Sequence, residues 1–304
     1  MKFGRWTGRI AVAVGITLLP VGAQLNAWAV ERTSLVRSGS PAEATAGFVM
    51  AGEGESLLAP GSDPALRVTV DGDLASASHI AVLVPGVDTT ANQFDLPPEI
   101  AGAKGTAMDW WRTMPGWARS LRQAAAEAVP GGLEDVAVVA WLGYQTPVGV
   151  AGASLSAMKQ GSANLVAFDQ FLKMERPDAD ITWVCHSYGS LVCASALVET
   201  DPDALVLLGS PGVGVGEASD LATPAPVWAG ETGQDLIGLT RLMGVFGGSF
   251  GVLPSSDRFG ALPLPCDPED GHSGYFRPGS AQVRSMAAIV MGTPDPLAGG
   301  GVSI

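Results

Sequence analysis

The stretch from Asp180 to Ser190 constrains the fold of this 304-residue chain more than any other. Ile181 to Val184 is apolar and rich in β-branched and aromatic residues, which predicts a strand buried on both faces of a parallel sheet. After Gly189 the apolar residues recur at helical spacing. The predicted order is therefore strand, serine, helix, with Ser187 on the turn. Such a serine projects its hydroxyl above the sheet, and the N–H groups that begin the helix can stabilise an anion.

The motif around this serine, Cys185-His186-Ser187-Tyr188-Gly189, resembles the nucleophile elbow of the α/β-hydrolase superfamily, G-x-S-x-G. Its second glycine is present. Cysteine replaces the first glycine and is small enough for a close approach of strand and helix. The resemblance spans about Leu66 to Gly292 and implies that Ser187 is a nucleophile. The alternative is an inert turn serine. The motifs together look like a bacterial family of α/β-hydrolases of largely undefined substrate; they are Pro-Gly-Val-Asp, Trp-Leu-Gly-Tyr, His-Ser-Tyr-Gly-Ser, Gly-Ser-Pro-Gly and His-Ser-Gly-Tyr-Phe.

The rest of the chain alternates predicted strands with predicted helices. Two early strands joined by Asp71-Gly72-Asp73 resemble the β-hairpin with which the superfamily begins. The alternation implies an α/β fold, with a mostly parallel central sheet and helices on both faces. The predicted strands are Leu66–Val70, His79–Val84, Val136–Trp141, Ile181–Val184, Ala204–Leu208 and Pro226–Ala229, and the longer predicted helices are Trp117–Val129 and Ala151–Met174.

In this superfamily the serine is followed first by an acid and then by a histidine. Of the three histidines, only His272 lies downstream of the elbow, so it is the predicted general base, with an exposed loop histidine as the alternative. Asp235 follows the last predicted strand and is the preferred acid, because its Asp-x-Ile setting resembles the acid turn of the family. Other carboxylates remain open for that role: Glu231, Asp257, Asp267 and Asp270.

Three further site residues follow predicted strand ends. The resemblance implies that the loop Pro85-Gly86-Val87 supplies an oxyanion-hole donor, so the backbone N–H groups of Val87 and Tyr188 form the expected pair. An ordinary Pro-Gly turn is the alternative. Tyr144 follows the strand Val136–Trp141 and is expected to line the substrate pocket, with simple packing as the alternative.

Two long irregular segments, Thr89–Pro115 and Leu239–Leu264, are expected to lie over Ser187. They carry aromatic and aliphatic side chains, which would form an apolar site for an acyl chain. Packing against the core is the simpler alternative.

The N-terminus has the pattern of a secretory signal peptide. Met1–Ala29 has a basic start, an apolar run and Ala27-Trp28-Ala29, so cleavage is expected before Val30 and the protein is expected to be secreted or associated with the cell envelope. The alternative is an uncleaved membrane anchor. Beyond it we expect an irregular segment at 30–65, a hydrolase domain at 66–292 and a tail at 293–304.

Charge and cysteine content limit the possible partners. The net charge of −13 argues against nucleic acid or an anionic membrane surface as the main partner. Cys185, Cys193 and Cys266 all follow the signal segment, so an oxidising compartment is expected and one thiol is left over. The sequence leaves open whether Cys185 and Cys193 form a disulfide or stay as buried thiols. No cysteine–histidine spacing is zinc-like, and no metal or cofactor is implied.

Together these features predict a secreted serine hydrolase that cleaves a small-molecule or lipid-like carboxylic ester. Acyl transfer and amide hydrolysis by the same residues are close alternatives. A binding or cell-wall-associated protein on a hydrolase scaffold is an alternative of another class, because a fold does not fix a function.

Overall fold

The computed structural model describes residues 47–96, 109–129, 132–149, 155–236 and 250–293. All of them lie within one compact unit, residues 39–304. The predicted signal segment at 1–29 and residues 294–304 of the predicted tail lie outside the described residues.

Strands and helices alternate along the described chain, as expected from the alternation of short apolar runs with amphipathic segments. The strands are β1 (Arg67–Asp71), β2 (His79–Val84), β3 (Val136–Leu142), β4 (Asp180–His186), β5 (Ala204–Leu208), β6 (Gly212–Val215), β7 (Val227–Gly230), β8 (Phe250–Gly251) and β9 (Leu262–Pro263). The helices are α1 (Ala91–Phe94), α2 (Met114–Ala128), α3 (Gly132–Asp135), α4 (Leu155–Glu175), α5 (Gly189–Ala196) and α6 (Ala281–Val290).

Seven of the described strands form one sheet in the order β1-β3-β2-β4-β5-β7-β9. Neighbouring strands run parallel throughout this sheet except for β1, which is antiparallel to β3. The short strands β6 and β8 pair separately. This arrangement confirms the predicted α/β fold with a mostly parallel sheet.

The predicted hairpin between the first two strands is wrong. β1 and β2 are not neighbours, because β3 lies between them and pairs with both. Gly72 ends β1 with a φ of 106°, and a Cβ on this residue would lie 2.7 Å from the carbonyl oxygen of Val136 at the start of β3. The Asp-Gly turn therefore brings the chain close against β3 and does not fold it back on β1.

Helices cover both faces of the sheet because successive strand residues point to opposite sides. In β2, Val82 belongs to the core on one face and Leu83 to the core on the other. α4 and α5 pack on the Val82 face, while α2 and α6 pack on the Leu83 face. Nearly every side chain of β4 is buried, since the strand lies at the centre of the sheet with a helix layer on each side.

The described part of the N-terminal segment, residues 47–65, packs on the domain without forming a regular helix or strand. It makes isolated antiparallel bridges, Phe48 with Leu58 and Ser56 with Thr69. Leu57 has no exposed surface and belongs to the core. Across the described ranges, none of the helices combines the length and apolar character needed to cross a membrane.

Candidate active site

Ser187 sits at the turn between β4 and α5, as the strand–serine–helix pattern predicts. Its φ of 55° lies in the left-handed region, which non-glycine residues rarely adopt. The N–H of Ser187 donates to the carbonyl oxygen of Leu208 at the end of β5, at 2.8 Å. This bond fixes the strained turn to the neighbouring strand, so the hydroxyl is presented at the carboxyl end of the sheet.

Two glycines allow the backbone to close around this turn. A Cβ on Gly86 would lie 2.6 Å from the Cβ of Ser187, and one on Gly189 would lie 2.6 Å from the carbonyl oxygen of Pro85. Both distances are shorter than a carbon atom tolerates. The glycines therefore let the loop after β2 and the start of α5 approach each other on either side of Ser187.

Cysteine at the first glycine position of the motif has a structural role. Cys185 in β4 forms a disulfide with Cys193 in α5. The bond is fully buried and joins the strand before Ser187 to the helix after it. The sequence had left the disulfide and two free thiols as alternatives, because spacing alone does not give the distance between the two side chains.

His272 joins Ser187 and Asp235 in one hydrogen-bonded chain. Its Nε2 lies 2.8 Å from the Ser187 Oγ, and its Nδ1 lies 2.8 Å from Asp235 Oδ2 and 3.0 Å from Oδ1. An ionised carboxylate can only accept, so Nδ1 carries the proton and Nε2 is free to accept from the serine hydroxyl. The structure thus brings together the three residues that the sequence predicted as nucleophile, acid and base.

The turn that carries the acid is bonded to the loop that carries the histidine. Gln234 donates its N–H to the carbonyl oxygen of Asp270 at 3.0 Å, and Gly233 donates to that of Asp267 at 3.4 Å. The Asp235 side chain itself has no exposed surface, whereas that of His272 is 35% exposed. Acid and base are therefore positioned relative to each other by their backbones, and the histidine remains accessible from the cleft.

Tyr275 is a site residue whose role the sequence did not predict. Its buried hydroxyl donates to Asp235 Oδ2 at 2.7 Å and accepts from the N–H of Thr232 at 3.1 Å. Burial and the nearby carboxylate raise the pKa of Tyr275 above its usual value, so the hydroxyl remains a donor. The sequence showed Tyr275 only as part of the His-Ser-Gly-Tyr-Phe motif around His272.

His186 is a second unpredicted site residue. Its Nε2 lies 2.8 Å from the carbonyl oxygen of His272. A carbonyl only accepts, so Nε2 carries the hydrogen. Burial and the adjacent His272 lower the pKa of His186 from 6.5 to about 3, which keeps its ring neutral. The residue before the nucleophile is thus bonded to the base loop.

Other carboxylates that the sequence left open for the acid make contacts elsewhere. Glu231 accepts from the exposed Ser255 at 2.6 Å. Asp270 and Asp267 both bond to Arg277, at 2.8 Å each, and so shape the base loop. Asp257 begins a short 3₁₀ turn. Of these candidates, Asp235 is the one bonded to His272.

The two residues expected to supply oxyanion donors flank Ser187. Val87 lines the same cleft as Ser187, on the loop that Gly86 brings close to it. Tyr188 directly follows Ser187 and precedes the first residue of α5. The structure therefore places one candidate backbone N–H on the loop after β2 and the other at the start of the helix.

Tyr144 is not placed as expected. The residue has no exposed surface and is not among those that line the cleft beside Ser187. Its hydroxyl donates to the carbonyl oxygen of Pro85 at 2.7 Å. Burial raises the pKa of Tyr144 well above its usual value. Tyr144 therefore supports the loop after β2, and it lines a separate pocket that also includes Thr89 and Gln145.

Ser187 and His272 open into a cleft of about 320 Å³. One part of its wall is apolar and includes Phe94, Met114 and Trp117. Another part is polar and includes Asp88, Thr89, Gln93, Arg112, Thr113 and Ser273. The described ends of the segment Thr89–Pro115 thus border the cleft as expected, while its residues 97–108 lie outside the described chain. Residues 239–249 of the other expected cover lie outside the described chain, and residues 250–264 are not among the lining residues.

The described ranges contain no cluster of three His, Cys, Asp or Glu side chains positioned to hold a metal ion.

Two mycobacterial proteins are similar to this chain in sequence. A protein of Mycobacterium bovis described as uncharacterized is 31% identical over 173 residues, 54% of this chain and 60% of that protein. An uncharacterized protein of Mycobacterium tuberculosis is 28% identical over 265 residues, 76% of this chain and 38% of that protein. The chain therefore spans less than two thirds of the length of either relative.

Two solved structures are similar at lower identity. An alpha-beta serine hydrolase homologue from Coxiella burnetii aligns at 11% identity with a TM-score of 0.45, over 81% of this chain and 100% of that one. A serine hydrolase without lid from Xanthomonas campestris aligns at 16% identity with a TM-score of 0.44, over 80% of this chain and 94% of that one.

The family match covers more of the chain than the relative that is 31% identical. The alpha/beta-hydrolase family model matches residues 61–245, more than half of the sequence, including the elbow and Asp235. Together with the parallel sheet, this match shows that the chain belongs to the alpha/beta-hydrolase family.

Proposed function

We propose that this chain is a serine hydrolase that cleaves carboxylic esters through an acyl-enzyme. The observation that carries the proposal is the continuous hydrogen-bonded chain from the buried Asp235 through His272 to Ser187, at the wall of a cleft. A serine, a histidine and a carboxylate in this geometry can activate a hydroxyl for acyl transfer on many unrelated folds.

In the proposed mechanism each of the three side chains has its own step. The Ser187 Oγ attacks the acyl carbon while its proton moves to His272 Nε2, and Asp235 orients the ring and stabilises the imidazolium. The backbone N–H groups of Val87 and Tyr188 hold the oxyanion. His272 then returns the proton to the leaving alcohol. In the second half, His272 takes a proton from water while that water attacks the acyl carbon. The bond to Ser187 Oγ then breaks, which releases the acid, and His272 returns the proton to Ser187.

The cleft supports an acyl group of moderate length. Phe94, Met114 and Trp117 form an apolar wall in a space of about 320 Å³. Each buried methylene contributes roughly 0.8 kcal/mol, so p-nitrophenyl esters of about four to eight carbons should exceed the acetate in kcat/KM. A kcat/KM that is flat or falls from acetate onward would show that this wall does not bind the acyl chain.

A fluorophosphonate probe tests the nucleophile directly. We expect the protein to be labelled, and Ser187→Ala to lose both the label and ester hydrolysis. Ser273 is exposed in the same cleft and offers a matched control, so Ser273→Ala should keep the label. Labelling that persists in Ser187→Ala, or hydrolysis at an unchanged rate, contradicts the proposed mechanism.

We also propose that the protein acts outside the cytoplasm, exported through the segment Met1–Ala29. The disulfide between Cys185 and Cys193 supports this, because such bonds persist in oxidising compartments. Mass spectrometry of the exported protein should find Val30 as the first residue. A protein that retains residues 1–29 would favour an uncleaved anchor.

A further inference from the structure

The cleft beside Ser187 has one cation among its described lining residues, and that cation is Arg112. It ends the short 3₁₀ turn Trp110–Arg112, and its side chain is 40% exposed. The proposed chemistry gives Arg112 no part, since proton transfer and charge stabilisation are supplied by other residues. Its position in the cleft wall therefore calls for a separate explanation.

Contacts with its neighbours hold the guanidinium of Arg112 in place. The group lies over the ring of Trp111, with Cζ 4.7 Å from the ring centroid. Its Nε lies 3.5 Å from Oδ2 of Asp109, whose side chain is 62% exposed. These contacts use the face of the guanidinium and its Nε. In the described part of the chain, neither Nη group is bonded to a protein acceptor, so both can donate to a ligand.

The helix that follows adds to the positive potential at this wall. Thr113 is the N-cap of α2 and also lines the cleft, as does Met114, the first residue of the helix. The helix has 15 residues and no acidic side chain in its first turn. Its dipole therefore places partial positive charge at the same end that carries Arg112.

The described cleft also contains one acidic side chain, that of Asp88. Its Oδ1 accepts from the N–H of Gly149 at 2.6 Å, so the carboxylate is held by a neighbouring loop. The protein as a whole carries a net charge of −13, which disfavours anions at long range. Any attraction of an anion to the cleft must therefore be local, and it must come from the wall around Arg112.

We propose that Arg112 binds a carboxylate of the substrate, so that the enzyme prefers esters bearing a carboxylate away from the scissile bond. This assignment rests on the proposed function and names the substrate class of the same site. A guanidinium can bind a carboxylate through two parallel N–H donors, which fixes orientation as well as adding affinity. Phe94, Met114 and Trp117 line the same cleft and would contact the carbon chain.

Paired substrates test the proposal and locate the carboxylate. For the acyl side, the mono-p-nitrophenyl ester of glutaric acid is compared with p-nitrophenyl valerate. For the alcohol side, the butyrate ester of 4-hydroxybenzoate is compared with that of 4-hydroxybenzamide. In at least one pair we expect the acidic ester to have the higher kcat/KM, by about 10-fold, a usual size for a charge-assisted contact.

Variants of three charged residues test whether the preference for acidic esters depends on Arg112 or on the overall charge of the protein. Arg112→Gln should remove the preference, because kcat/KM of the acidic ester should fall about 10-fold more than that of its neutral partner. Arg119 is exposed on α2, with its guanidinium 6.0 Å from the Trp110 ring centroid, and it does not line the cleft. Arg119→Gln should therefore keep the preference. Asp88→Asn should increase the preference for the acidic ester, because a negative charge in the cleft is removed. Higher salt should reduce that preference.

A binding measurement makes the inference independent of turnover. In Ser187→Ala, monomethyl glutarate should raise the Tm, and the additional Arg112→Gln substitution should abolish that shift. If the native protein hydrolyses no ester but monomethyl glutarate still raises the Tm through Arg112, the proposed function is rejected and the anion site is retained. If Ser187 is required for hydrolysis of neutral esters, but neither pair shows a preference for the acidic ester and no Tm shift depends on Arg112, the inference about Arg112 is wrong while the proposed function stands.

Discussion

Tyr275 shares the carboxylate of Asp235 with His272. The Tyr275 hydroxyl and His272 Nδ1 approach the same oxygen, Oδ2, at 2.7 and 2.8 Å. Gly209 makes room for this arrangement, since a Cβ there would lie 2.6 Å from Asp235 Oδ2. Tyr275 therefore acts as a positioning residue: it holds the acid and withdraws part of its negative charge from the histidine.

Tyr275→Phe should lower kcat/KM by about 3- to 10-fold, the usual value of one hydrogen bond. Without the donor, Asp235 stabilises the imidazolium more strongly, so the acid limb of the kcat/KM profile should move to higher pH. Tyr144→Phe is the matched control, because that hydroxyl also has a buried partner but does not touch Asp235. If Tyr275→Phe lowers kcat/KM without moving the acid limb, or if Tyr144→Phe moves the acid limb equally, then Tyr275 only packs against its neighbours and does not position Asp235.

The sequence identified the residues of the hydrogen-bonded chain but missed those that support it. Ser187 stands out by its strand–turn–helix setting, and His272 because only three histidines exist. The bond between His186 and His272 joins residues 86 positions apart, and the bond of Tyr275 with Asp235 joins residues 40 apart. Such contacts depend on how loops meet over the sheet, which no local pattern encodes.

At the scale of elements, the buried parallel strands were predicted to within about two residues, because they are continuous apolar runs bounded by turn residues. The pairing of β1 was predicted wrongly, since its alternating pattern indicates a half-buried strand but does not identify the neighbouring strand. The disulfide was also undecided. Its location now shows that strand β4 and helix α5 are covalently joined on either side of Ser187.

Removing the disulfide should weaken the fold measurably. The double variant Cys185→Ala/Cys193→Ala should lose about 2–3 kcal/mol in the free energy of unfolding, as expected for a short closed loop. For a domain of this size the Tm should fall by about 5–10 °C. Chemical denaturation and calorimetry measure the two quantities.

The third cysteine provides the control. Burial and the nearby Asp267 carboxylate raise the pKa of the Cys266 thiol to about 12, so it stays protonated and does not exchange with the disulfide. Cys266→Ala should therefore affect stability less than the double variant does. Three reactive thiols in the denatured, unreduced protein would show that the disulfide is absent.

At the scale of the whole molecule, His186 makes stability depend on pH. The pKa of His186 is about 3 in the folded protein, against an ordinary value of 6.5 that applies to the unfolded chain. Between pH 3 and pH 6.5 the unfolded chain therefore binds the proton more readily. The contribution of neutral His186 to the free energy of unfolding is therefore complete above about pH 6.5, and it is lost progressively as the pH falls toward 3. Acidification should destabilise the protein across this range.

His186→Gln tests this dependence. An uncharged amide can still donate to the His272 carbonyl but does not titrate, so the variant should lose less Tm than the native protein between pH 7 and pH 4. Carboxylates that titrate in both proteins cancel in the difference. Parallel Tm curves for the two proteins would show that His186 does not contribute to the acid sensitivity.

The bonds between the acid turn and the base loop also bear on how the protein is made. His272 lies 85 residues beyond Ser187, and Asp270 follows Gln234 late in the chain. A nascent chain that has emerged only as far as the elbow therefore holds the serine with no base to activate it. Under the proposed mechanism and export, we expect the chain to hydrolyse no ester on the ribosome or during translocation. Activity should begin only once the loop that carries His272 has folded beside the elbow.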